Sequence, residues 1–161
     1  MTSMSAFIFS FGKISRISSG ISTSFFDKKT GLYFNSTASK RQSELVNSLA
    51  VLCGASTDEE ALNITSVLSR NNDLAKISLS MLCFKFDALL KVNSELYRPY
   101  ILKTIEEKYK VMLDAGATSF WETESGESDF NNAGSLCHGW SAMPIYYYIL
   151  LNGKDYFNGR L

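Results

Sequence analysis

Residues 74–92 carry apolar side chains on nearly every side of a helical projection: Ile77, Leu79, Met81, Leu82, Phe84, Phe86, Leu89 and Leu90. A helix without a wet face must be covered all round by neighbouring elements, which excludes a single exposed layer. The next segment reads differently. Ile101, Leu102, Ile105, Tyr109, Met112 and Leu113 form one apolar stripe at helical spacing, while Lys103, Glu106, Glu107, Lys108 and Lys110 face water. Ser94 and Pro99 open that helix and Gly116 ends it. Upstream, Ser39 with Gln42 reads as the capping box of a helix carrying Leu45, Val46, Leu49, Leu52 and Cys53, which Gly54 ends. Thr57 with Glu60 opens another, which Asn71 and Asn72 end. Ser135 caps a last helix running to about Leu151, which Pro144 must kink or restart. Before them all, Lys29-Thr30-Gly31 sits between two aromatic pairs and predicts a tight hairpin. Dry and amphipathic helices alternate, the pattern of antiparallel hairpins arranged in an inner and an outer layer.

Composition excludes several functions. Lys+Arg and Asp+Glu both number 16, so the net charge is zero. A nucleic-acid binder needs a basic surface, and so does a polybasic membrane-surface protein. The longest apolar run, Met143 to Leu151, is too short for a bilayer span. No cofactor or metal is expected. One histidine and no CxxC make no zinc site, and the acidic residues match no EF-hand spacing. Cys53, Cys83 and Cys137 cannot all pair, and read as buried free thiols in a reducing compartment. The first 26 residues hold eight serines, no acid, and only Lys13 and Arg16 as charges. They suit a transit peptide or the ragged start of a shortened reading frame better than a secretory signal. Residues 1–24 are set apart from a core domain of 25–161, and the expected location is cytoplasmic.

The segment Ala117 to Gly134 is the one stretch whose composition structural needs do not explain. Loops this long without structure of their own tend to be functional. It offers Glu122, Glu124, Glu127 and Asp129 beside Trp121, and Cys137-His138-Gly139-Trp140 comes directly after. Indole faces stack on pyranose rings while carboxylates and imidazole grip hydroxyls and activate water. Other readings stand beside this one. The acids can be a solvated surface, His138 a capping or core residue, and the two indoles core.

The residues Gly116-Ala117-Thr118-Ser119-Phe120-Trp121-Glu122, with Ser135-Leu136-Cys137-His138 after them, resemble the C-terminal part of the α-L-rhamnosidase catalytic domain, glycoside hydrolase family 78 and its relatives. That family has a Gly-Ala-Thr-Thr-x-Trp-Glu element and then a Ser-x-x-His element that starts an inner helix. Gly31-Leu32-Tyr33 and residues 42–50 look like preceding hairpins of the same domain. The resemblance spans roughly Phe25 to Phe157. It implies an all-α fold, a partial (α/α)6 toroid of antiparallel helical hairpins amounting to about half of the ring. It also implies an O-glycosyl hydrolase of the six-hairpin class, acting by inversion on terminal α-L-rhamnosides or a related sugar. Glu122 would be the general base, Trp121 and His138 would line the sugar pocket, and Trp140 would join them as a second indole. Glu124 stands where Arg is usual, and Cys137 where Asn is common; both departures bear on the choice of sugar.

A ring of twelve helices needs roughly 220 to 250 residues from typical helix and loop lengths, more than this chain has. No stretch before Glu122 resembles the family's general acid. The expectation is therefore a C-terminal half, inactive alone, with a complementing chain or self-association through exposed inner helices as its partner. The alternative is a non-enzymatic helical module that binds sugar or protein through the acidic-aromatic loop; a functionless remnant is the third.

Overall fold

The computed structural model describes residues 19–153, within two compact units, Met1–Lys76 and Ile77–Leu161. Most of the segment set apart at 1–24 lies outside the described residues. So do residues 154–161, with Phe157 at the end of the resemblance.

In the first unit residues 19–25 are helical, and the Ser22 hydroxyl donates to the Ala55 carbonyl. The predicted hairpin forms from strands β1 (Phe26–Asp27) and β2 (Leu32–Tyr33), paired antiparallel with Phe26 opposite Tyr33. Asp27 organises its turn, accepting from the Lys29 amide and the Thr30 hydroxyl, while Gly31 takes the left-handed φ of 69° that closes it. Tyr33 ties the hairpin to the helix behind it. Its backbone N–H donates to Asn47 Oδ1 at 2.9 Å, Asn47 Nδ2 returns a bond to its carbonyl, and its phenol donates to Ala55 O. Helix α1 (Glu44–Leu52) and helix α2 (Asp58–Leu68) complete the unit around buried Tyr33, Val51, Ile64 and Leu68.

The Thr57–Glu60 capping box is present in both directions, and Gly54 has the positive φ expected after α1. The start of α1 differs from the expectation. Ser43 is its cap, accepting from the Val46 amide, and Ser39 instead accepts from the Arg41 amide in a turn. The reason is tertiary. Gln42 bridges to Phe34 and Ser43 to Ala75 in extended conformation, so helix cannot begin before Glu44.

In the second unit a 3-10 turn, Leu79–Met81, leads into helix α3 (Leu82–Asp114). The expected start at residue 74 is corrected for the same reason as α1: Ala75 is engaged in its bridge to Ser43. α3 is broken at Asn93, where φ is −160° and ψ is 98°. Fifteen residues of straight helix would separate positions 85 and 100 by about 22 Å. Lys85 Nζ instead lies 5.5 Å from the Tyr100 ring, so the limbs 82–92 and 94–114 double back antiparallel. Asn93, rather than Ser94, caps the second limb by accepting from the Leu96 amide at 3.0 Å. The first limb buries Leu82, Lys85, Phe86, Ala88 and Leu89 but leaves Asp87 and Lys91 exposed, so it is less dry than its sequence suggests.

Helix α4 (Pro144–Asn152) runs antiparallel to the second limb. Tyr109 donates to Ser141 O at one end, and Arg98 donates to Asn152 Oδ1 at the other. Tyr147 is its buried anchor, edge-on to Phe86 with centroids 5.0 Å apart, its phenol donating to Asp87 Oδ1 and Cys83 O. Pro144 starts this helix rather than kinking it. Ser135 caps nothing helical, because its hydroxyl accepts from the Cys137 amide in a turn and only a 3-10 turn, Gly139–Ser141, precedes Pro144. The three thiols are unpaired as expected, but Cys53 and Cys137 are exposed and Cys83 half-buried, against the reading of buried thiols. No described helix is long and apolar enough to cross a membrane.

Candidate functional site

The segment expected as an open loop is a folded excursion of the second unit. The Glu122 amide donates to Ser135 O at 2.9 Å, and the His138 amide donates to Phe120 O at 2.7 Å. Residues 120–122 thus pair antiparallel with 135–138, three residues against four. The extra residue makes a bulge, a device that re-aims side chains beside it. Ser135 pins it by accepting from the Cys137 amide, and Ser119 donates to Leu136 O from the facing strand. The intervening chain closes on glycines. Gly126, at φ 57°, lies flat against Trp121, where a Cβ would come within 2.8 Å of the ring, and Gly134 packs directly on the Gly126 carbonyl. Phe130, Asn131 and Asn132 all take left-handed φ values of 52–66°, which turns the tip and leaves the Phe130 ring exposed.

Two residues beyond the excursion hold it to α3. Tyr109 meets Phe120 edge-on at 5.9 Å while its phenol donates to Ser141 O, so one side chain touches both the segment that enters the pairing and the segment that leaves it. Burial, then the negative charge of Cys83 and Glu124, pushes the Tyr109 phenol far above its ordinary value and keeps it a donor. Lys108 forms an ion pair with Glu124 at 2.5 Å. Neither anchor was found from the sequence, where both fall on helical faces of the expected kind; only Tyr109, on the apolar stripe, gave a signal.

The candidate residues lie on and beside this pairing. Glu122 is half-buried; its Oε2 accepts from the Ser135 amide at 3.3 Å, and Oε1 has no protein partner among the described residues. Trp121 is half-buried against Gly126. The His138 ring is half-buried, edge-on to Trp140 at 6.1 Å, and Trp140 is 74% exposed. The pairing brings the Trp121-Glu122 and Ser135-to-His138 backbones side by side. It joins the Glu122 carboxylate to the His138 imidazole by no hydrogen bond or ion pair among the described residues. Glu127 and Asp129 contribute backbone carbonyls to the Gly134 amide, so the acidic run is a turn scaffold there. No group of three or more His, Cys, Asp or Glu among the described residues could hold a metal. A cavity of about 620 Å³ lies elsewhere in the unit, between the second limb of α3, residues 117–120 and α4, and none of Trp121, Glu122, His138 and Trp140 lines it.

No family model and no curated protein matches the sequence. Among solved structures the chain is similar to a rhamnosidase from Klebsiella oxytoca with rhamnose bound, with a TM-score of 0.68 and 23% sequence identity over 86% of this chain. The chain spans 28% of the length of that rhamnosidase. The similarity shows the fold: mostly helical, consistent with the expected partial helical toroid of a rhamnosidase-like domain.

Proposed function

We propose that this chain is part of a glycoside hydrolase of the α-L-rhamnosidase type, glycoside hydrolase family 78 or a relative, that inverts at a terminal α-L-rhamnoside or related sugar. Glu122 is its general base. The observation that carries this reading is the state of that carboxylate. One oxygen is held by the Ser135 amide, which fixes its aim, and the other, without a partner among the described residues, is available to take a proton from water. A base in that position needs a sugar held in front of it. Trp121 and Trp140 supply apolar faces, and the His138 ring nitrogens, without protein partners among the described residues, are open to sugar hydroxyls. Inversion also needs a carboxylic acid across a gap wide enough for water. The chain offers no candidate resembling that acid, so the proposal makes it inactive alone.

Transplanting Gly116–His138 into the aligned part of the Klebsiella oxytoca rhamnosidase tests this. Turnover of an aryl α-L-rhamnoside should survive, and Glu122→Gln in the transplant should slow it by about 10²–10⁴-fold. An unchanged rate in that variant would remove Glu122 from the chemistry. The exposed Trp140 also fits a second reading, a non-enzymatic sugar-binding or interaction module. Saturable monosaccharide binding by the chain, lost in Trp121→Ala but indifferent to Glu122→Gln, would favour it.

A further inference from the structure

Among the described residues, left-handed backbone outside glycine is confined to three consecutive positions: Phe130, Asn131 and Asn132, with φ values of 52°, 60° and 66°. Asparagine tolerates that region because its short amide can bond locally, whereas a bulky side chain there crowds its own backbone. Glycine holds such a turn without that cost, and the same excursion uses it so at Gly126. Packing does not offset the strain at Phe130, whose ring is 59% exposed. The turn behind it closes through backbone alone, the Ala133 and Gly134 amides donating to Asp129 O. Strain kept where folding gains nothing from it marks a position selected for contact. The tip is tied closely to the proposed site. Gly134 packs on the Gly126 carbonyl beside the Asp129 Cβ, Gly126 lies on the Trp121 ring, and Ser135 holds the Glu122 carboxylate.

We infer that Phe130, Asn131 and Asn132 form a second sugar subsite, which takes the unit to which a terminal rhamnose or related sugar is joined. The inference rests on the sugar-site reading above and adds the class of substrate, a disaccharide or longer glycan. Asn131 and Asn132 are exposed, and their amides have no protein partners among the described residues. The tip is therefore an apolar plate flanked by two free amides. A pyranose matches that combination, its C–H face stacking on the ring while neighbouring hydroxyls bond to amide donors and acceptors. A purely aromatic leaving group would use the ring and leave both amides idle.

Calorimetric titration of the full chain with methyl α-L-rhamnoside, and with a disaccharide in which L-rhamnose is α-linked to D-glucose, reads the outcome. The disaccharide should bind about five- to tenfold more tightly, the usual gain from stacking on one ring. Phe130→Ala should abolish that advantage and leave the affinity for methyl α-L-rhamnoside unchanged, while Phe130→Tyr retains it. Phe130→Gly should abolish it too, yet raise the thermal midpoint of unfolding by about 2–4 °C, because glycine sheds the strain. Equal affinities for the two ligands overturn the inference, as does an advantage that survives in Phe130→Ala. A lowered midpoint in Phe130→Gly also overturns it, since the ring would then serve packing. So does tighter binding of p-nitrophenyl α-L-rhamnoside with no gain for the disaccharide, which assigns the plate to an aromatic leaving group. Binding of neither rhamnoside nor disaccharide strikes the sugar site at Glu122 itself, and the subsite falls with it.

Discussion

Glu122 exchanges hydrogen bonds with one partner residue, Ser135, through its backbone amide and through its carboxylate, and that double hold is only as rigid as the turn behind it. The turn depends on two glycines. A methyl group at Gly134 would run into the Gly126 carbonyl, and backbone cannot move aside as a flexible side chain can. Gly134→Ala should therefore cost about 1–3 kcal/mol of unfolding free energy in a denaturant titration. It should also blue- or red-shift the emission of Trp121, which packs on the same turn. Gly139→Ala, with open space at its Cβ, is the control that should leave both unchanged. At this scale the sequence revealed chemistry better than geometry. Trp121, Glu122 and His138 stand out as residue types, but whether they meet depends on a bulged pairing fixed by Ser119 and Ser135, and hydroxyl pins have no sequence periodicity. Tyr109 was legible only as an apolar stripe position, because nothing in a stripe distinguishes a ring that packs from one that also clamps two backbone segments.

The elements show why some ends were readable and others were not. A signal contained in four consecutive residues survives folding: the Thr57–Glu60 box and the left-handed stops at Gly54 and Gly116 are present as expected. A signal that competes with pairing elsewhere does not. Ser39 with Gln42 is a sound local box, but bridges to Phe34 and Ala75 hold the chain extended there, and the same bridge delays α3. Asn93 is a further case, since asparagine in a run of helix formers reads as a weak interruption yet here reverses the chain and caps the second limb. Asn93→Ala should remove that cap and destabilise the second unit by about 1 kcal/mol, while Asn93→Asp, which keeps the acceptor, should not. Thermal unfolding of the two variants side by side distinguishes loss of the cap from loss of the turn. In α4 the buried end of Tyr147 predicts a similar magnitude: Tyr147→Phe forfeits the bonds to Asp87 and Cys83 O and should cost about 1 kcal/mol.

Over the whole molecule, buried acids that ionise only at high pH set a common alkaline weakness. Burial raises the phenols of Tyr33, Tyr109 and Tyr147 and the thiol of Cys83, with the Asp87 carboxylate adding to the effect at Tyr147. In the unfolded chain these groups titrate near 9.0 for the thiol and 10.0 for the phenols. Above those values the unfolded state holds fewer protons than the folded one, so stability falls with rising pH. Their contribution is complete below about pH 9 and erodes through pH 10 and beyond. Denaturant midpoints measured from pH 8 to 11 should decline, and Tyr147→Phe should flatten the decline.

At the same scale, the all-α class was legible because it is a sum over many residues, whereas the expected dry helices carry exposed positions, Asp87 and Lys91 in the first limb of α3 and Ile145, Tyr146, Ile149 and Leu150 in α4. The similarity of fold to a rhamnosidase agrees with the resemblance read from Gly116–Glu122 and Ser135–His138, although only 28% of that enzyme has a counterpart here. What the site binds is a finer matter than what it is built from. The chain carries two indoles and one imidazole, and three of the four proposed site residues are these groups, so nuclear magnetic resonance reports on the site with little overlap. Titrating the labelled chain with L-rhamnose should shift the Trp121 and Trp140 indole N–H signals and the His138 ring signals together and saturably, with Trp121→Ala abolishing the response. Signals that stay in place at high L-rhamnose, or that move identically in Trp121→Ala, would contradict a sugar site on this excursion.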